Sequence, residues 1–369
     1  MNQLFRWDQM GLFLLALAAG ILPFAVPEVC AAALREGLTL CSGPLLLSLF
    51  PFLVVSRLLI QCPESDLLAL PFRLAAWGIG IRTPCAARVL CIGFLGGFAP
   101  AASAAAQAVR TGQLTAEEAD ALLPACICSG PSFVVLTVGQ SLLGSAELGV
   151  LLFASQITAN YLTAALLNRF AGVRSVKPGS AAPASPAPPR LDEILADAAI
   201  TYCKLCGFIL FFRLLAAGAG ALLPTGAGTL CAILLEVCSG CDLASRTGRW
   251  GSLLCCAALS VQGLSVLLQV RTICPAEMTL HPLYRARILH LPLSLALFYL
   301  LLPGGEADVF STLPARVLLM RRVPPDCALL VFAVCCMAAC TLRSGIRQVE
   351  QKQMARNAGG CCINSKTLL

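Results

Sequence analysis

Charge is what this sequence has least of. Only 12% of its 369 residues are Asp, Glu, Lys or Arg, about half the ~25% typical of a soluble domain. Set against 58% apolar residues and a mean hydropathy of +0.83, that is too little to clothe one core in a water-facing surface. Soluble enzymes, nucleic-acid modules and disordered chains are excluded on this ground. Histidine is nearly absent too: His281 and His290 are the whole supply, and their separation matches no ligand or catalytic spacing. The sequence has no GxSxG, no P-loop, no HExxH and no paired carboxylates beside a nucleophile. No enzyme, no catalytic residue and no cofactor is therefore expected.

Apolar runs of roughly 20 residues, the length of a bilayer-crossing helix, make up most of the chain. The expectation is an all-α polytopic membrane protein with about eight transmembrane helices. The first run, 11–26, follows Arg6 and precedes small residues, an order shared by signal peptides and first membrane helices. With so many spans behind it, a retained helix is expected. Further runs are 38–60, 86–109, 148–167, 200–223, 230–240, 253–270, 288–302 and 328–342. Residues 67–81 are apolar but short and broken by Pro71, Gly78 and Gly80, which predicts an interfacial or re-entrant piece.

The net charge of +7 gathers in connecting segments and the tail, the pattern of cytoplasmic loops rather than of nucleic-acid binding. Residues 172–190 are rich in Pro, Ala and Ser with only positive charge, and read as an extended linker. The linker divides a first membrane half (1–171) from a second (191–342), and a basic tail (343–369) follows; linker and tail are both expected on the cytoplasmic side. Most of the 21 cysteines sit in apolar runs, where a thiol packs as a small hydrophobe. The two CxxC pairs, Cys203/Cys206 and Cys238/Cys241, could bind zinc only by converging. Packing is the expected use, and no metal site is expected.

Interruptions are the second signal. Gly93, Gly96, Gly97 and Pro100 break the run 86–109. Thr115 and Glu118 have the spacing of a capping box, so a helix should restart at Ala116. That helix meets Pro124 and breaks at Ser129-Gly130-Pro131-Ser132, and its two half-length arms read as a re-entrant hairpin. The halves also echo each other. Arg57-Leu58-Leu59 matches Arg213-Leu214-Leu215, Arg110-Thr111-Gly112 matches Arg246-Thr247-Gly248, and Gly130-Pro131-Ser132 matches Gly263-Leu264-Ser265. The offset falls from 156 (Arg57 to Arg213) to 136 (Arg110 to Arg246), so the first half carries an insertion, which 67–81 fits. Paired interruptions in two related halves point to a transporter-like binding site, because unwound backbone in a membrane must face protein, water or ligand.

Glu236, within an otherwise apolar run, is the leading functional residue, since a carboxylate at membrane depth is costly. It reads either as a solute or proton ligand or as a structural partner of Arg57 or Arg213. The substrate-binding set is Gly97, Pro100, Ser129, Gly130, Ser132, Glu236, Ser239, Gly240, Gln262, Gly263 and Ser265. Thr137, Gln140 and Gln269 are further polar groups on apolar arms; each serves equally well as an interhelical hydrogen-bond partner.

Several motifs together resemble the nucleoside-recognition (Gate) domain family. They are Pro51-Phe52-Leu53-Val54-Val55-Ser56-Arg57, the Gly97-Phe98-Ala99-Pro100 break, the turn from Thr111 to Leu122, and Cys128-Ser129-Gly130-Pro131-Ser132-Phe133. Leu235-Glu236-Val237-Cys238-Ser239-Gly240 and Ser260-Val261-Gln262-Gly263-Leu264-Ser265-Val266 complete the order. Over residues 45–300 the order is most similar to the YlbJ-type sporulation integral membrane proteins of endospore-forming bacteria. The sequence departs from the family pattern at Gln262, where a small residue is usual, and in lacking a basic residue after the first break. The resemblance implies an inner-membrane protein, in the mother-cell or forespore membrane, needed for spore cortex formation and built on a transporter-like core. The implied partners are a small solute, the lipid bilayer, other sporulation membrane proteins and a second copy in a homo-oligomer, with no nucleic acid. A non-transporting scaffold for cortex-assembly proteins is the alternative.

Overall fold

The computed structural model describes residues 4–61, 63–171 and 191–302; the linker, the run 328–342 and the basic tail lie outside it. Every regular element among the described residues is helical. Helices α1 (Leu4–Ala25) and α2 (Pro27–Ser42) open the chain, followed by α3 (Pro44–Gln61), a short turn of 3-10 helix and α4 (Leu70–Gly78). Next come α5 (Pro84–Gly96), α6 (Phe98–Arg110), α7 (Ala116–Cys126), a π-helical arm (Ser132–Leu142) and α8 (Ala146–Ala171). The rest is α9 (Leu191–Leu222), α10 (Thr225–Leu235), α11 (Val237–Ser245), α12 (Gly251–Val261), α13 (Gly263–Ile273) and α14 (His281–Leu301).

Three stretches are long and apolar enough to cross a membrane: Ala146–Ala171, Leu191–Leu222 and Gly248–Ile273. The pair Phe13–Ala25 and Pro27–Ser42, bent by 113°, makes a fourth if it counts as one span. The distribution of polarity agrees with a membrane protein. Phe24, Phe170, Ile288 and Leu300 are 75–89% exposed, while Gln156, Asn160, Glu236, Gln262, Arg287 and His290 are buried. With polar groups inside and large apolar ones outside, this surface suits lipid.

The order helix, two short helices, interrupted helix, helix occurs twice: α3, α5/α6, α7/π arm, α8, and then α9, α10/α11, α12/α13, α14. The first and last helices of the two series run antiparallel to their counterparts. Arg57, late in α3, pairs with Asp197, early in α9, and Phe50 meets Tyr202 edge-on at 6.2 Å between ring centres. On α8 and α14, the Gln156 carbonyl meets His290 Nε2 at 3.2 Å and Asn160 Oδ1 accepts from Arg287 at 3.4 Å. Helix α4, the element without a counterpart in the second series, has 9 residues. At 1.5 Å rise per residue it is about 14 Å long, half of what a crossing needs.

Four expectations need correction. The arms around Ser129–Ser132 do not form a hairpin: α7 and the π arm pack along α8, not against each other. Asn168 of α8 donates to Ala121 O at 3.1 Å, and at the other end a Cβ on Gly139 would lie 2.5 Å from Gly149 Cα. The chain reverses instead at Gly97 and at Glu236, where α5 packs on α6 and α10 on α11. Small residues permit both reversals: a Cβ on Gly93 would lie 3.2 Å from Ala101 Cβ, and one on Gly240 would lie 2.8 Å from Ile233 Cα. The run 38–60 is split at Gly43, where Pro44 denies the backbone a donor. The run 200–223 belongs to a longer, 32-residue α9 that already begins at Leu191.

Helix α7 starts as its capping box requires. Thr115 accepts from Glu118 N at 3.1 Å and Glu118 reaches back to Thr115 N at 3.2 Å. Asp120 then accepts from Thr279 N (2.8 Å) and Leu280 N (3.2 Å), holding the entry to α14 at the same end of the bundle.

Candidate functional site

Interrupted backbone needs neighbours that come close, and glycine supplies them. At Gly97, φ is +80°, the left-handed region open to glycine at little cost. A Cβ there would sit 2.7 Å from Gly130 N and 3.2 Å from Cys128 O. The tip of the α5/α6 hairpin is therefore seated directly on the unwound stretch 127–131. The second series repeats the arrangement. Gly263, φ +71°, would place a Cβ 2.9 Å from Glu236 N and 3.0 Å from the Leu235 carbonyl, so the α10/α11 tip rests on the break in α12/α13. The two junctions meet through Gln262, whose Nε2 reaches Ser129 Oγ at 3.4 Å and Leu259 O at 2.5 Å.

Glu236 is 2% exposed and pairs with neither arginine considered for it. Arg57 is held by Asp197 and Arg213 by Glu36 at 2.7 Å. Its carboxylate instead caps α11, with Oε1 accepting from Cys238 N at 2.8 Å and Oε2 from Ser239 N at 2.7 Å. An anion at a helix start is favoured by the dipole and by the free N–H groups there. The residue thus stabilises the hairpin tip itself, and it keeps further lone pairs for a ligand.

Of the other sequence-derived residues, Gly97, Ser129, Gly130, Gln262 and Gly263 come together at the two junctions. Ser265, on the first turn of α13, accepts from Gln269 Nε2 at 2.9 Å. Ser239 contributes its backbone to the Glu236 cap, and Gly240 and Pro100 serve the close packing inside the hairpins. Ser132 is exposed and does not join the cluster. Among the described residues no group of three or more His, Cys, Asp or Glu is arranged to hold a metal ion.

Sequence reasoning missed the residues that brace the breaks. Arg287 of α14 donates to Ile127 O at 2.8 Å, Ser260 O at 3.3 Å and Asn160 Oδ1 at 3.4 Å. Ile127 O and Ser260 O lie where α7 and α12 stop, so one guanidinium serves the carbonyl ends of both interrupted helices. Gln156 donates to Ser260 Oγ at 2.9 Å and Cys256 O at 3.2 Å. No acidic side chain among the described residues hydrogen-bonds to Arg287. Each helix end carries roughly −0.5 charge, and two of them offset one cation. A signal existed: Arg287 and His290 sit one turn apart in an otherwise apolar stretch, but the expected span began at residue 288 and left the arginine out.

Comparison with protein-family models, with curated proteins and with solved structures finds no match to this chain.

Proposed function

We propose that this chain recognises a small solute inside the membrane and moves it across, with the solute held where the two hairpin tips meet the two interrupted helices. The observation that carries this reading is the convergence of four interruptions: Gly97 on Gly130, Gly263 on Glu236, and Gln262 on Ser129. Interrupted helices are tolerated at membrane depth where they are buried in protein or line a cavity. Paired interruptions between two antiparallel series are the arrangement of alternating-access proteins. In this reading each series crosses the bilayer three times, so the halves are inverted, and the flanking apolar segments at either end bring the total to about eight crossings.

The Gate-like motifs extend the proposal to biology: a multi-pass protein of a bacterial inner membrane that supports spore cortex formation. A scaffold would need partner surfaces but no glycine-lined junction between broken helices, which is why transport is preferred here. Glu236→Gln separates the two. Replacing one acceptor oxygen by an NH2 group sets a donor against the Cys238 or Ser239 N–H and loosens the α10/α11 tip, at a cost of about 1 kcal/mol. The protein should still insert at normal level and still capture its membrane partners, while cortex formation falls. An unaltered cortex in cells carrying Glu236→Gln, with protein level matched by immunoblot, would favour the scaffold.

A further inference from the structure

Where the two junctions meet, α6, the π arm, α11 and α13 start and α5, α7, α10 and α12 stop. Helix starts and ends carry partial charges of opposite sign and similar size, so four of each cancel. The Glu236 carboxylate and the Arg287 guanidinium, both buried, cancel likewise. No net charge is left among these groups to draw in an ion of either sign.

The unmet groups are hydrogen-bonding ones. Gln262 is 1% exposed and donates its Nε2 to Leu259 O at 2.5 Å and to Ser129 Oγ at 3.4 Å. A carbonyl can only accept, so the amide is held that way round, and its Oε1 is the atom without a partner. Gln269 and Ser265 repeat the arrangement. Both are 1% exposed, Nε2 donates to Oγ at 2.9 Å, and Oε1 again has no partner. In each pair the serine oxygen accepts, and neither serine hydroxyl donates to an acceptor among the described residues. Gln262 also adopts φ +66°, a conformation costly for a residue with a side chain. Glycine would avoid that strain, so the amide is held there against a local cost, as at binding sites.

Gln262, Ser265 and Gln269 are spaced three and four residues apart and share one face at the start of α13. Ser265 stands about 5 Å along the axis from Gln262, so two like pairs lie a helical turn apart. Each pair sets an acceptor, Oε1, beside a donor, the serine hydroxyl. A hydroxyl of the solute both donates and accepts, so it satisfies the two at once. An anionic oxygen would face Oε1 with a second acceptor, and a cation would leave the serine protons unmet. If the Gln269 amide turns over, Ser265 donates to Oε1 and the NH2 group is left to be met, which a hydroxyl also does. We propose, resting on the solute-site reading above, that the solute is an uncharged polyhydroxyl compound, sugar- or polyol-like. Its neighbouring hydroxyls are held by Gln262 with Ser129 and by Gln269 with Ser265.

The test uses the purified full chain in detergent, with myo-inositol and sorbitol as probes and putrescine and inorganic phosphate as charged comparisons at matched ionic strength. A polyol should raise the melting temperature of the wild type in a saturable way, and neither charged compound should. In Gln262→Gly and Gln269→Met the polyol concentration needed should rise about tenfold, the loss of one buried hydrogen bond to the ligand. Gln262→Gly removes the backbone strain, and Gln269→Met replaces an unpaired buried amide at similar volume, so loss of folding does not confuse the result. An equal response of wild type and variants would be the general exclusion of polyols from protein surfaces and would overturn the inference. A saturable response to phosphate or putrescine alone, lost in the same variants, would overturn the uncharged class and keep the solute site. A saturable response to none of the probes would overturn both.

Discussion

Arg287→Met is expected to be the most destabilising single change in the described part of the chain. The methionine fills much of the same volume but takes the guanidinium donors from Ser260 O and Ile127 O, leaving Ile127 O only the longer bond from Asn160 Nδ2 at 3.5 Å. A buried carbonyl stripped of its partner costs about 1–3 kcal/mol; Ser260 O should lose that much and Ile127 O, with Asn160 still donating to it, a smaller amount. Loss of the cation also leaves two helix ends of the same sign facing each other. Arg287→Lys, with one compact ammonium in place of a planar fork, should fall between. Thermal melting in detergent reads the order: wild type, then Lys, then Met. A methionine variant as stable as the wild type would mean that the guanidinium does not hold the breaks together.

The second large effect is at the glycines of the junctions. Gly97→Ala and Gly263→Ala each force a side chain into a positive φ, at about 1–2 kcal/mol. Each also drives a Cβ into backbone, 2.7 Å from Gly130 N in one case and 2.9 Å from Glu236 N in the other. Backbone cannot swing aside as a flexible side chain can, so the hairpin tip must lift from the break beneath it. Gly144 and Gly248 are natural controls: φ is +75° and +65°, yet nothing lies within 4 Å of a Cβ at either. Alanine there should cost the strain alone. Melting temperatures should therefore separate the junction pair clearly from the turn pair, and solute-dependent stabilisation should vanish only in the former. Equal losses in all four would show that conformational strain, not the seating of tip on break, sets the effect.

Much of this was written in the sequence at the level of single breaks. The interruptions at Gly97, Ser129–Ser132 and Gly263–Ser265, the capping box at Thr115 and the shortness of α4 are local features, set by glycine, proline and short-range hydrogen bonds. Which breaks reverse the chain was not legible. Gly97 and Gly130 look alike in sequence, and only the pairing of Gly93 with Ala101, against the laying of α7 and the π arm along α8, makes one a hairpin and the other a through-going helix. The role of Glu236 was half legible: its burial could be inferred, whereas its use as a cap depends on the chain turning at that residue. Arg287, Gln156 and Asn160 were hidden because their partners lie more than 25 residues away, on carbonyls that no side-chain pattern reveals.

The central claim is that two oppositely oriented halves bring their breaks to one place. It is tested most directly by the sidedness of the matching turns Arg110-Thr111-Gly112 and Arg246-Thr247-Gly248. A short epitope inserted after Gly112 or after Gly248, both exposed, can be probed in right-side-out and inside-out vesicles. The account predicts that the two epitopes are reached from opposite faces of the membrane. Both epitopes reached from the same face would contradict it.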